Sequence, residues 1–130
     1  MTIKFTVPGR PVPMARPRVT MHGTYTPKEC RDYKGLVKSF AVHAMNENEY
    51  CVFENEPLEC RVRFIFPLPK SRKNPWATSR PDLDNLYKAV TDAMNGIVYK
   101  DDAQIVRASI EKAYEVNGGG RVEIWVSEIA

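Results

Sequence analysis

Four aspartates and a lysine stand close together in the second half of the chain, in a pattern that suits phosphate chemistry. Asp82 and Asp84 are two residues apart, Lys88 follows four residues after Asp84, and a second pair is formed by Asp101 and Asp102. Anions this close repel and raise one another's pKa, which costs stability. A hard divalent cation removes the conflict, because Mg²⁺ takes oxygen ligands and typically binds a couple of carboxylates plus substrate phosphate.

Such an ion suits phosphodiester hydrolysis. It polarises the phosphoryl oxygen, lowers the pKa of a bound water so that the water attacks in line, and stabilises the leaving 3′ oxygen. Lys88 could place a positive charge beside the phosphorus or hold the attacking water. Two plainer interpretations stay open: Asp82 caps a helix, and Lys88 forms a surface ion pair with Asp84, worth a few tenths of a kcal/mol.

The acidic residues must be positioned by a helix and a strand. From Asp82 onward, apolar residues recur at helical intervals until Asn95-Gly96 supplies a stop. Residues 97–99 read as a brief extended run, and residues 104–116 alternate as a long strand. The turn 117–120 then predicts that residues 122–126 return as the hairpin partner of that strand. If the helix packs against the long strand, three or four carboxylates converge.

The first half of the chain supplies the rest of the domain. Residues 2–7 alternate as a strand that ends at Pro8-Gly9, and a basic loop follows whose second half, residues 19–26, is compatible with a small hairpin. Thr26, Pro27 and Glu29 predict a capped helix start, and residues 58–66 predict a strand that ends at Pro67. This order predicts one α+β domain over residues 1–130, with two helices on one face of a mixed, mostly antiparallel sheet.

The charges are distributed unevenly. The net charge is only +3, but residues 1–40 and residues 61–80 are each locally +6. A basic surface around an acidic spot is typical of a nucleic-acid enzyme. The basic residues of the two loops are therefore candidate phosphate contacts: Arg16, Arg18, Lys70, Arg72, Lys73 and Arg80.

Composition limits what else the chain can be. At 130 residues and 43% hydrophobic content, it can form one modest core. The three cysteines form no CxxC pair and have no histidine at zinc spacing, so we expect buried or half-buried free thiols. No stretch reaches the ~20 apolar residues of a membrane span, and no signal peptide is evident, so we expect a cytoplasmic protein without a membrane partner.

The segment from Arg80 to Lys88, Arg-Pro-Asp-Leu-Asp-Asn-Leu-Tyr-Lys, together with Asp92-Ala, Asn95-Gly and Asp101-Asp-Ala-Gln104, resembles the RusA family of Holliday junction resolvases. The likeness extends more loosely to Pro8-Gly9-x-Pro11 and Arg16-Pro-Arg18. It implies a RusA-like fold in an intertwined homodimer. It also implies a Mg²⁺-dependent endonuclease, with Mn²⁺ as a substitute, that makes paired symmetric nicks in four-way DNA junctions during recombination and repair, often encoded by prophages.

The resemblance also implies roles for individual residues. The family's catalytic, metal-binding carboxylates fall on Asp82, Asp84 and Asp102, and its catalytic lysine falls on Lys88. Its helix-capping asparagine falls on Asn85, while Asp92 and Asp101 match motif positions that we interpret as supporting or structural. The chain departs from some members at Pro81, where they carry a basic residue, so Arg80 would take over that phosphate contact.

A homodimer also follows from symmetry. One chain of this size presents one metal site, whereas a four-way junction has two equivalent strands to cut, and a two-fold dimer matches them. Three alternatives stay open: a metal-dependent nuclease for another branched or single-stranded substrate, a non-catalytic nucleic-acid-binding module, and a structural dimerisation domain. The two basic segments disfavour the last.

Overall fold

The computed structural model describes residues 1–15, 18–25, 27–71 and 75–129. Six strands and two helices make up the described chain. The strands are β1 (Thr2–Pro8), β2 (Arg18–Thr20), β3 (Gly23–Tyr25), β4 (Leu58–Pro67), β5 (Ile105–Glu115) and β6 (Arg121–Glu128). The helices are α1 (Lys28–Glu47) and α2 (Leu83–Met94), and a 3₁₀ turn, Asp102–Gln104, precedes β5.

The main sheet is mixed and has the strand order β1-β6-β4-β5. β6 runs antiparallel to both of its neighbours, and β5 runs parallel to β4. β2 and β3 form a separate two-stranded hairpin, as the sequence suggested. The predicted α+β class, with two helices and a mixed, mostly antiparallel sheet, is confirmed.

The helices cover one face of the sheet. The side chains that alternate toward them on β1, β4 and β6 are buried, because period-two alternation sends every second residue to the same face. α1 packs against β1 and α2, and α2 packs against β5. The core residues of the sheet are Ile3, Phe5 and Val7 on β1, Cys60, Val62 and Phe64 on β4, and Val122, Ile124 and Val126 on β6.

The opposite face of the sheet is polar and its charges are matched. The ring of Trp125 is flanked by Lys4 and Arg61, whose cationic atoms lie 5.3 and 5.2 Å from its centroid. Arg63 reaches Glu111 at 2.7 Å and Glu123 at 3.1 Å. The basic residues of this face therefore already have partners within the chain.

The predicted hairpin between β5 and β6 is wrong. β4 lies between them and hydrogen-bonds to both. β4 takes the central place because its Phe64, Ile65 and Phe66 are all buried, whereas most of the first half of β5 is exposed. A strand that is apolar on both faces gains most from the interior of a sheet.

Gly120 lets the connection from β5 cross over the end of β4. Its φ is +91°, in the region that L side chains rarely adopt, and an added Cβ would lie 2.8 Å from the Ile65 carbonyl oxygen and 3.2 Å from Arg10 Cα. The Gly120 carbonyl also accepts a hydrogen bond from Gly9 N at 3.0 Å. The glycine run, which reads as a hairpin turn, serves a crossing instead.

Three smaller differences from the sequence predictions concern local structure. Residues 97–99 form a turn with isolated bridges instead of a strand. α1 is preceded by Pro27, with no side-chain capping bond, and Thr26 lies outside the described residues. All three cysteines are free thiols, but Cys51 is exposed. Among the described helices, none combines the length and apolarity that crossing a membrane requires.

We predict that Gly120→Ala destabilises the protein by about 2–3 kcal/mol, because the new methyl group meets backbone atoms at a strained φ. Urea denaturation measures the change. The control is Gly119→Ala, since a Cβ there meets nothing within 4 Å. Equal stabilities of the two variants would contradict the crossing role of Gly120.

Candidate active site

The first acidic residue of the motif, Asp82, stands at the N-cap of α2 without acting as a side-chain cap. Its backbone carbonyl accepts from Leu86 N at 3.2 Å, but its carboxylate makes no capping hydrogen bond. Asp84 lies in the first turn of the helix, where a negative charge is favoured by the helix dipole. The capping interpretation therefore does not account for the Asp82 carboxylate, which is exposed.

Asp84, Lys88 and Asp102 line one cleft of about 450 Å³ between α2 and β5. α2 supplies the first two, which face the same way because they are four residues apart on a helix. The 3₁₀ turn supplies Asp102, and the floor is apolar, with Val106 and Ile110 from β5. The packing of α2 against β5, which the sequence pattern required for the acids to approach, is thus present.

A capping box fixes the turn that presents Asp102. The Asp101 carboxylate accepts from Ala103 N at 3.0 Å, and the Gln104 side-chain oxygen accepts from Asp101 N at 3.1 Å. Gln104 Nε2 in turn donates to the Phe53 carbonyl at 3.3 Å. The side chains of Asp101 and Gln104 are therefore engaged in hydrogen bonds that hold the turn, whereas Asp102 lines the cleft.

Asn95 anchors Asp102 from the end of α2. Its side-chain oxygen accepts from Asp102 N at 2.9 Å. Partial burial, followed by the neighbouring carboxyl groups of Asp101 and Asp92, raises the pKa of Asp102 above its ordinary value, and Asn95 opposes that rise. Negative charge is crowded at this point, which is the environment that a bound cation relieves.

Lys88 has a different partner from the one that the ion-pair alternative assumed. Its ammonium lies 3.7 Å from Asp92, one turn further along α2, and among the described contacts it forms no ion pair with Asp84. The separation is too long for a strong hydrogen bond, and the Lys88 side chain is 62% exposed. Such a pair contributes little to stability, so the lysine remains available to a phosphate in the cleft.

Asp82 faces a second pocket, next to the first, together with Arg10, Arg80 and Asn85. The walls are held by backbone contacts: Met14 N donates to the Asn85 carbonyl at 2.9 Å. From the other side, Lys112 Nζ donates to the carbonyls of Ser79 and Pro81 at 2.9 and 3.0 Å. The start of α2 is thus pinned between the N-terminal loop and β5.

The three carboxylates are neighbours but do not form one cluster. Asp84 and Asp102 share the cleft, whereas Asp82 lies in the adjoining pocket. Across residues 1–15, 18–25, 27–71 and 75–129, no group of three His, Cys, Asp or Glu side chains is arranged to hold a metal ion. The donor set still fits a hard cation, because two carboxylates in one cleft plus substrate phosphate suffice for Mg²⁺.

The predicted DNA contacts are placed only in part. Arg16, Arg72 and Lys73 lie outside the described residues, and Arg18 is placed by its backbone in β2. Lys70 is exposed on the loop after β4. Arg80 is exposed and lines the pocket of Asp82.

Sequence reasoning missed three residues that shape the site: Arg10, Asn95 and Lys112. Asn95 was interpreted as a helix stop and as part of the family motif without a role of its own, and Arg10 only as part of a basic loop. Lys112 carried a usable signal, because it interrupts the otherwise apolar inward positions of β5. Its anchoring of the loop before α2 depends on tertiary contacts alone.

Comparison with known proteins agrees with this geometry. The sequence model described as "Endodeoxyribonuclease RusA" matches residues 8–127. The chain is 33% identical, over 98% of its length and 97% of the relative's, to the uncharacterized protein YqaN of Bacillus subtilis (strain 168). It is 38% identical to the crossover junction endodeoxyribonuclease rusA of Lactococcus phage r1t, over 65% of this chain and 64% of the phage protein. With nearly its whole length matched by the family model, the chain belongs to the RusA family of metal-dependent endodeoxyribonucleases.

Proposed function

We propose that this chain is a Mg²⁺-dependent endonuclease that resolves Holliday junctions by paired symmetric nicks in recombination and repair. The observation that carries the proposal is the cleft in which Asp84, Lys88 and Asp102 meet. The family motif assigns these same residues to catalysis. The phage relative, named a crossover junction endodeoxyribonuclease, supports junction DNA as the substrate and a prophage origin. We also propose a cytoplasmic location, where such DNA is found.

Asp84 and Asp102 would hold the ion, and Asp82 would complete the site from the adjoining pocket. When bound, Mg²⁺ supplies the Lewis acid that activates water and stabilises the leaving oxygen. Mn²⁺ would substitute, because carboxylate sites accept it. Asn95 holds the backbone of Asp102, so that this carboxylate stays aimed into the cleft.

Lys88 and Arg80 act on the substrate phosphate. Lys88 lies one helical turn after Asp84 on the same cleft wall, where its ammonium would stabilise the negative charge that develops on the phosphoryl oxygens. Arg80 lies beside Asp82 and would orient the strand to be cut through a phosphate contact. Val106 and Ile110 of β5 form the apolar part of the cleft lining.

We predict that Asp82→Asn abolishes Mg²⁺-dependent cleavage of a synthetic mobile four-way junction, while junction binding is retained or tightened. The change removes a metal ligand and a charge that repels phosphate. Gel assays measure junction cleavage in Mg²⁺ and junction binding in EDTA. Retained cleavage would contradict the assignment, and preferred cutting of a flap or a linear duplex would favour another branched or linear substrate.

We predict that Lys88→Ala lowers the single-turnover rate by about 10²-fold or more and leaves the unfolding midpoint nearly unchanged. The reason is that its pair with Asp92 is long and exposed. The control is Lys28→Ala, which breaks the exposed 2.7 Å pair with Asp32 on α1. A Lys88 variant that lost stability and kept activity would support the ion-pair alternative.

The active form in this proposal is a homodimer, with branched DNA bound across both subunits. The loops that contain Arg16, Arg18, Lys70, Arg72, Lys73 and Arg80 would hold the duplex arms through phosphate contacts. Such contacts give affinity with little sequence preference. Two clefts related by a two-fold axis would then face the two equivalent strands of the junction.

The free edge of β5 is the surface that we assign to the second subunit. In the described part of the chain, β5 is at the end of the sheet and pairs with β4 alone, and it runs for eleven residues. Val106 on this strand is 66% exposed. If two β5 strands pair antiparallel about Ser109, Arg107 of each chain lies opposite Glu111 of the other chain. Opposite charges in directly facing positions stabilise a sheet.

We predict that Arg107→Glu shifts the protein toward monomer, because it places two acidic side chains opposite each other, and that the double variant Arg107→Glu with Glu111→Arg restores the dimer. Light scattering coupled to size exclusion measures the mass. Failure of the double variant to restore the mass of the wild type would exclude this register. A monomeric wild type would contradict the dimer itself.

A further inference from the structure

Three basic residues of α1 differ from the paired arginines of the sheet. Arg31, Lys34 and Lys38 form no ion pair within the described residues, whereas Arg63, Arg107 and Arg121 on the sheet are each paired with glutamate. The three α1 cations are spaced i, i+3 and i+7, so they share one stripe of the helix. An unpaired stripe is costly in self-repulsion unless an anion is brought to it.

A groove lies along this stripe, between α1 and α2. Its volume is about 300 Å³, and it is lined by Arg31, Lys34, Gly35 and Lys38 with Asp92 and Ala93 of α2. Asp92 is the one carboxylate among these residues, and its side chain is 24% exposed and directed to Lys88. The groove therefore has an excess of positive charge.

Gly35 lies in the middle of the stripe, and packing does not explain it. A Cβ at this position would meet nothing within 4 Å, and glycine inside a helix costs about 1 kcal/mol relative to alanine. Glycine is favoured where a ligand must approach the backbone closely. It lowers the floor of the groove between the cations.

The groove adjoins the catalytic cleft. Lys88 lines the cleft, and Asp92, its partner at 3.7 Å, lines the groove. One helical turn and one interhelical spacing separate the two, about 15 Å in all. A DNA duplex that leaves the cleft across α2 would span that distance within about half a turn of the double helix.

We propose that this α1 groove binds the sugar–phosphate backbone of one duplex arm, with Arg31, Lys34 and Lys38 contacting phosphates. The inference rests on the proposed function, since it extends the same DNA from the cleft across the helical face. It adds a positioning surface that lies outside both basic loops. The occupant is duplex DNA, because continuous phosphates match three cations along one helix.

The test compares two triple variants that remove the same charge. The first triple variant combines Arg31→Gln, Lys34→Gln and Lys38→Gln. It should weaken junction binding in EDTA by about tenfold or more and reduce the slope of log K against log salt concentration by about 2–3 in magnitude. The control replaces Lys4, Arg61 and Arg63 by Gln on the opposite face of the sheet. Equal loss in both triples, or no loss in the α1 triple, would overturn the proposal.

Gly35→Leu tests the groove without changing charge. Leucine favours helix over glycine and has space, so we expect the thermal midpoint to hold or rise while junction affinity falls several-fold. Unchanged affinity would mean that DNA does not enter the groove. The single-turnover rate at saturating enzyme and low salt should stay at the wild-type value in the control triple of Lys4, Arg61 and Arg63, because these residues line neither the cleft nor the groove.

The proposed function can fail separately from the groove. A wild type that binds junctions in EDTA but never cuts them in Mg²⁺ would refute only the nuclease proposal. A wild type that cuts, with an α1 triple indistinguishable from it in affinity and salt slope, would refute only the groove.

Discussion

The packing of α2 against the edge strand β5 is the contact on which the candidate active site depends. It places Asp84 and Lys88 opposite the turn that carries Asp102. Lys112 strengthens this arrangement, because its ammonium donates to the two carbonyls just before α2. A cation in the inward row of an edge strand is tolerated here since it satisfies backbone oxygens that would otherwise lack donors.

Some residues of the acidic motif hold the local structure, and others have carboxylates that face the cleft or its neighbouring pocket. Asp101 and Gln104 close a capping box, and Asn95 holds the backbone of Asp102. Asp82 occupies the N-cap position of α2, but its carboxylate makes no capping hydrogen bond there. Partial burial and the neighbouring carboxyl groups of Asp101 and Asp92 raise the pKa of Asp102, which lines the cleft. This crowding of negative charge is the physical reason for expecting a cation.

The two faces of the molecule also differ in how their charges are compensated. On the open face of the sheet, arginines are matched with glutamates across strands, which contributes modestly to stability. On the helical face, Arg31, Lys34 and Lys38 form no ion pair within the described residues and line the groove between α1 and α2. This asymmetry gives the fold one side suited to a polyanion, although the total charge is small.

The sequence by itself determined the secondary structure and the catalytic motif, because both are encoded locally. Hydrophobic periodicity specified both helices and the strands of the sheet, and the four-residue spacing of Asp84 and Lys88 specified that both lie on one face of α2. The order of the strands was not local. Apolar and polar residues alternate in both β5 and β6, so their patterns alone predict a hairpin. Because β4 is buried on both faces, it lies between them, and the glycine run crosses over the end of β4 at Gly120. The pair of Lys88 with Asp92 is local, because both residues lie four apart on α2. The tertiary structure alone decided that Asp82 lies in a different pocket from Asp84 and that Asn95 and Lys112 support the site, because these contacts join segments whose separation in the chain carries no periodic signal.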